Sequence, residues 1–232
     1  MRLDVIQSMG LPQTMDLFQP DNELVRAEPD MESLAPGAML MRGRAAPDAF
    51  ALMADLQAVL DQAPLRHMIT PGGFRMSVAM SNCGALGWVS DCTGYRYDAV
   101  DPNSGRRWPA MPASFLRLAT LAAVDAGFSD FEPDACLVNR YEPGARLTLH
   151  QDRNERDFSH PIVSVSLGVP AVFVFGGPKR SDRPVRVPLM HGDVVVWGGP
   201  ARLHYHGVLA LRQGHHLLTG DCRFNLTLRR AA

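Results

Sequence analysis

From Ala135 to its end, the chain alternates apolar and polar residues with period two, in short runs broken by Gly, Pro and Asp. The runs cover 135–141, 145–150, 162–167, 171–175, 184–189, 193–197, 203–209 and 217–229, which makes about eight strands. No helical stretch separates them, as the crossovers of a parallel sheet would require, so the strands are expected to pair antiparallel in a jelly roll. Upstream the period changes. From Ala49 to Gln62 the residues Phe50, Met53, Leu56, Val59 and Leu60 recur at helical spacing behind Pro47 and Asp48, and a second helix is expected from Pro112 to Ala126. Its apolar face is read as Phe115, Leu118, Leu121 and Ala122, with Gly127 as the stop. The expected class is therefore α+β, mainly β: a jelly roll with supporting helices on one side. Residues 65–111, Gly-rich with alternating runs such as Phe74 to Val78, read as hairpins and loops. Residues 1–35, acidic and rich in Pro and Met, read as an irregular extension before a single domain over 36–232.

Charge and cysteine content narrow the function classes little. A net charge of -1 over 232 residues gives no global attraction to phosphate, so a nucleic-acid partner would need a local basic patch. Lys179 is the only lysine, and arginine carries the rest of the basic charge. The four cysteines, Cys83, Cys92, Cys136 and Cys222, form no CxxC pair, which argues against a zinc ribbon or a disulfide framework and for a reducing compartment. Asp4 and Gln7 interrupt the amino terminus where a secretory signal needs an apolar run. A cytoplasmic monomer without a membrane segment is expected.

Chemistry enters at Leu147-Thr148-Leu149-His150-Gln151-Asp152. Strand alternation sets His150 and Asp152 on one face, where both can reach one ion. Such a pair also suits a surface histidine beside a turn aspartate, so a third ligand is required. Arg202-Leu203-His204-Tyr205-His206-Gly207 supplies it, through either His204 or His206. Two imidazoles and one carboxylate leave half of an octahedral ion open, the arrangement of non-haem Fe(II) oxygenases, whereas a structural zinc would take a fourth protein ligand.

The last strand, Arg223-Phe224-Asn225-Leu226-Thr227-Leu228-Arg229, is polar on one face and apolar on the other. It reads either as a solvated edge or as a wall of the metal site. In the second case its two arginines offer forks suited to the carboxylates of a dicarboxylic keto acid. Asn139 and Tyr141, also two apart, add neutral hydrogen-bonding groups.

Taken together, His150-x-Asp152, His206 and Arg223-x5-Arg229 resemble the motif of the AlkB family of dioxygenases. The likeness extends from about Ala35 to Arg229. It includes Met68-Ile69-Thr70-Pro71-Gly72-Gly73, Met76 to Met80, Pro133 to Tyr141 and His191 to Gly199. It implies a double-stranded β-helix carrying a hairpin lid for nucleotide recognition, within 65–111. It also implies Fe(II), with 2-oxoglutarate and O2 as co-substrates, in the oxidative removal of N-alkyl groups from bases such as 1-methyladenine and 3-methylcytosine in DNA or RNA. By the same resemblance His150, Asp152 and His206 are the metal ligands. Asn139, Tyr141, Arg223, Asn225 and Arg229 hold 2-oxoglutarate, and Trp197, Ser164 and Thr227 line its pocket. Trp88 and Tyr95 match the base-recognition lid, and Arg180 lies near the substrate strand. Arg146 and Arg153 stand where the family carries lysines, and Asn154 stands where bacterial members carry an acid. Two other readings share these residues: a hydroxylase of the same chemistry acting on a small molecule, peptide or lipid, and a jelly-roll binding module without catalysis.

Overall fold

A computed structural model of the chain describes residues 30–232, so residues 1–29 of the expected extension lie outside the described residues. Two antiparallel sheets face each other. The larger has seven strands in the order β1 (Met31–Ala35), β2 (Ala38–Met41), β11 (Val194–Trp197), β8 (Ile162–Gly168), β13 (Arg223–Arg229), β6 (Ala135–Tyr141) and β3 (Ala79–Gly84). The smaller runs β10 (Val185–Leu189), β9 (Ala171–Phe175), β12 (His206–Val208) and β7 (Leu147–His150). Strands β4 (Gly87–Asp91) and β5 (Gly94–Asp98) make a separate hairpin. This is the expected jelly roll, and its helices, α1 (Ala49–Gln62) and α2 (Ala113–Asp125), both pack on the large sheet.

Alternation along each strand of the large sheet divides two cores. Val138, Val163, Val165, Leu226 and Leu228 point to the helices, while Leu137, Tyr141, Ile162, Val195 and Trp197 point between the sheets with Phe173 and Phe175. Strand β13, which also read as an edge, lies in the middle, paired along its length with β6 on one side and β8 on the other. Its polar face turns into the cleft between the sheets, where Arg223 and Arg229 are 1% and 5% exposed.

Several expectations are corrected. Residues 31–35, assigned to the extension, form β1, because Met31, Glu32 and Ser33 find ladder partners in Met41, Leu40 and Met39. Within 65–111, Ala79–Gly84 leaves the hairpin region to join the large sheet in continuous register with β6. The 203–209 run is strand only over 206–208, since a turn at Gly199–Ala201 holds His204 by its backbone. The 217–229 run begins at 223, after a turn closed by bonds between His216 and Gly220. On α1 the buried stripe is Ala49, Leu52, Leu56 and Val59, and Phe50 is 76% exposed. Phe50 sits about 100° from Ala49 around the axis, off the face that meets the sheet. On α2, Leu121 turns outward and Ala119, Ala122 and Ala123 face in, small residues that let the helix approach the sheet closely.

Candidate metal and co-substrate site

The sheets open at one end into a cleft of about 900 Å³. Strands β7 and β12 are neighbours in the small sheet, with His150 and His206 directly opposite each other. Their rings lie 4.5 Å apart, and Asp152, two residues past β7, turns back towards them. One Asp152 oxygen is 3.8 Å from His150 Nε2, the other 3.6 Å from His206 Nε2. Among the described residues these three form the one such group of potential metal ligands, with ligand atoms all within 4.8 Å of one another.

Both imidazoles are oriented from behind. His150 Nδ1 lies 2.8 Å from the Thr148 carbonyl, and His206 Nδ1 lies 3.0 Å from that of His204. Each carbonyl accepts the Nδ1 proton, which leaves an Nε2 lone pair pointing at the shared centre. Desolvation and the adjacent His206 push the His150 imidazole down from its ordinary value, so it is neutral at pH 7. Burial alone would raise the Asp152 carboxyl, but Arg229, His206 and His150 hold it well below the usual carboxylate range. Two imidazole nitrogens and an ionised carboxylate are the donor set that suits Fe(II). The two candidates for the third ligand are thereby separated, because His204 points away and packs its ring on Phe175 at 5.5 Å.

Gly207 follows His206 for a reason of space. A Cβ there would lie 2.7 Å from the Leu147 carbonyl oxygen, so any larger residue forces β12 off β7 and parts the two histidines. Gly207→Ala is expected to weaken metal affinity by about 10–100-fold, the range seen when the support of a ligand is lost. Titration with Mn(II) checks this, and an unchanged affinity would contradict it.

The polar face of β13 forms the floor. Asn225 stands opposite Asn139 on one side and Ser166 on the other. It donates to Ser164 Oγ at 2.8 Å and accepts from Thr227 Oγ1 at 2.9 Å. Arg223 lies over the Tyr141 ring at 5.0 Å and donates to Ser166 Oγ, yet its buried Nε and Nη1 have no hydrogen-bond partner among the described residues. Burial raises the Tyr141 hydroxyl to about 12, so it remains a donor. A buried guanidinium with two open N–H directions, beside a protonated phenol, fits the carboxylate of a keto acid. At the other end of β13, Arg229 clasps Asp152 Oδ2 through Nη2 at 2.7 Å and Nε at 3.1 Å. Trp197 closes the floor, edge-on to His206 at 4.9 Å.

The hairpin forms the opposite wall. Trp88 and Tyr95 stack at 5.6 Å with an interplanar angle of 14°, and Trp88 Nε1 donates to Asn154 Oδ1 at 3.2 Å. Arg180 donates to the Leu149 carbonyl and lies over Tyr205. Arg146, Arg153 and Arg180 border the cleft, giving the local basic rim that net charge could not reveal. Every residue expected at the site thus borders one cleft.

Three residues at its edge were not anticipated. Glu155 is buried, with its oxygens 3.4 Å from Arg229 Nε and 3.3 Å from Arg202 Nη2. Arg202 also donates to the Asp152 and His160 carbonyls, and Tyr97 donates to Glu155 at 2.7 Å. Two carboxylates and two guanidiniums thus compensate one another next to the triad. The available signals were weak: a tyrosine alternating with Tyr95, and an acid in what read as a turn.

The 2OG-Fe(II) oxygenase superfamily model matches residues 37–229. The Alpha-ketoglutarate-dependent dioxygenase AlkB of Escherichia coli (strain K12) is 57% identical over 205 residues, covering 88% of this chain and 95% of the relative. Its namesake in Salmonella typhimurium is 56% identical, covering 94% and 98%. Among solved structures, one titled "The structure of OsALKBH1" superposes with a TM-score of 0.76 at 27% identity, over 86% of this chain and 99% of that one. The chain belongs to the AlkB family within the 2OG-Fe(II) oxygenase superfamily and is an Fe(II)- and 2-oxoglutarate-dependent dioxygenase.

Proposed function

We propose that this enzyme removes N-alkyl groups oxidatively from damaged bases in nucleic acid, single-stranded DNA above all, acting as a monomer through one dioxygenase domain. The observation that carries the reading is that one cleft combines the triad, the buried arginines and a hairpin with stacked aromatic rings. In this reading His150, Asp152 and His206 hold Fe(II), which with 2-oxoglutarate and O2 supplies the oxidant for the N-methyl C–H bond. Arg223 and Tyr141 bind one carboxylate of 2-oxoglutarate and Arg229 the other, from opposite ends of β13. Asn139 offers its amide N–H between them, Asn225 fixes the floor by donating to Ser164 Oγ and the Val165 carbonyl, and Ser164, Thr227 and Trp197 shape the pocket and exclude water. The oxidised methyl group leaves as formaldehyde, and the co-substrate loses CO2 and leaves as succinate.

A base inside a duplex cannot reach this depth, so it must be extruded or presented on a single strand. Trp88 and Tyr95 offer the stacking surface, on the order of 1–3 kcal/mol per base. Arg146, Arg153 and Arg180 meet the backbone phosphates without reading sequence.

Asn154 tunes the lesion range. Two residues past Asp152, it holds the Trp88 indole by its carbonyl oxygen and brings no negative charge towards a cationic base. Wild type is expected to turn over both 1-methyladenine, which is cationic, and 3-methylthymine, which is neutral. Asn154→Asp is expected to raise the ratio of the two about tenfold, or roughly 1.4 kcal/mol. Formaldehyde release from matched oligonucleotides measures this. A strong cation preference in wild type, unmoved by the substitution, would refute the role of Asn154, and turnover of neither lesion would refute the proposed activity.

A further inference from the structure

Among the described residues the hairpin is tied to the charged cluster by a single side chain, and that contact has chemical consequences. Tyr97 sits on β5 directly opposite Trp88. Its hydroxyl donates 2.7 Å to Glu155 Oε1, the same oxygen that Arg229 Nε approaches at 3.4 Å. Arg229 in turn holds Asp152 at 2.7 Å. Two other side-chain bonds of the hairpin to its surroundings end elsewhere, Trp88 Nε1 on Asn154 and Ser90 Oγ on the Ile69 carbonyl.

We propose that Tyr97 is a positioning residue that couples docking of the aromatic hairpin to the grip on 2-oxoglutarate, so that nucleic acid and co-substrate strengthen each other's binding. The proposal rests on the reading of the cleft given above. Its physical basis is competition for one acceptor. With the hairpin docked, Glu155 Oε1 is occupied by the Tyr97 hydroxyl, and Arg229 stays with Asp152 on the cleft side. When the hairpin lifts, that oxygen loses its shortest donor inside a low-dielectric cluster, and the guanidinium 3.4 Å away is drawn to replace it. Arg229 then leaves the position in which it meets a carboxylate in the cleft. A strand that holds the hairpin down thereby favours the arginine arrangement that binds 2-oxoglutarate. Linkage requires the reciprocal effect to be equal.

The test is calorimetric titration of 2-oxoglutarate into the Mn(II)-loaded protein, with and without a saturating single strand carrying 1-methyladenine. In wild type the strand is expected to tighten 2-oxoglutarate about tenfold, within the usual range of such couplings. In Tyr97→Phe the factor should fall below about twofold, while 2-oxoglutarate affinity without the strand changes by less than about threefold. Ser90→Ala removes a hairpin bond that does not end on Glu155, and should keep the wild-type factor. Thermal melts of both variants establish that each is folded. Retention of the full factor in Tyr97→Phe, or its equal loss in Ser90→Ala, would overturn the proposal. So would a wild type that binds both ligands independently, a result that leaves the reading of the cleft intact. A wild type that binds no 2-oxoglutarate would overturn that reading itself.

Discussion

Asp152→Ala is expected to lower kcat/KM on a methylated oligonucleotide by at least about 1,000-fold, on the order of 4 kcal/mol in the barrier. The carboxylate is the only anionic member of the triad and lies between the two imidazoles. Its removal also deprives Arg229 of its closest partner, leaving the buried guanidinium with Glu155 at 3.4 Å. The metal-free variant should therefore lose roughly 3 kcal/mol of stability, near the lower end for breaking a buried ion pair. Asp152→Asn separates the two effects. It retains an oxygen for Arg229 and so should lose less stability, while activity falls nearly as far for want of charge at the ion. Steady-state formaldehyde release and thermal melts in chelator measure both quantities. A variant that kept activity within tenfold would exclude Asp152 from the metal site.

Arg223→Met is expected to act in opposite directions on binding and stability. In wild type this guanidinium is fully enclosed, with Nε and Nη1 unpartnered among the described residues, so it opposes folding until an anion reaches it. Methionine retains much of the apolar stem and removes the charge. The variant without co-substrate should melt no lower than wild type, whereas its affinity for 2-oxoglutarate should fall by about 2–5 kcal/mol. Saturating 2-oxoglutarate supplies the complementary reading. At about 100 times its Kd it should stabilise Mn(II)-loaded wild type by about 2.7 kcal/mol, with no comparable shift in the variant at that concentration. A marked loss of stability with unchanged affinity would assign Arg223 to the scaffold.

The strands from Ala135 onward were legible because one face of nearly every one is apolar at period two, which fixes their orientation and, outside the 203–209 and 217–229 runs, most of their extent. The same alternation could not place β13, since a polar face reads alike whether it meets water or a cleft. Its pairing with β6 and β8 makes it an interior strand, and the burial of its polar residues along the cleft decides between them. Strand β1 escaped notice because three of its five residues are exposed and its partner β2 is only four residues long. The metal pair was visible in His150-x-Asp152, but the choice between His204 and His206 depends on where the strand begins, a tertiary matter. Glu155 and Tyr97 belong to a loop and a hairpin that meet across 58 residues of chain. No local pattern in either segment encodes that contact.

The central claim, a dioxygenase that dealkylates bases, is tested most directly by incubating purified enzyme with Fe(II), 2-oxoglutarate and O2. The substrate is a single strand bearing one 1-methyladenine, and formaldehyde, succinate and restored adenine are quantified together. All three are expected in near-equal amounts, with no adenine restored when 2-oxoglutarate is omitted. Succinate without formaldehyde or restored adenine, while another hydroxylated molecule accumulates, would contradict that claim.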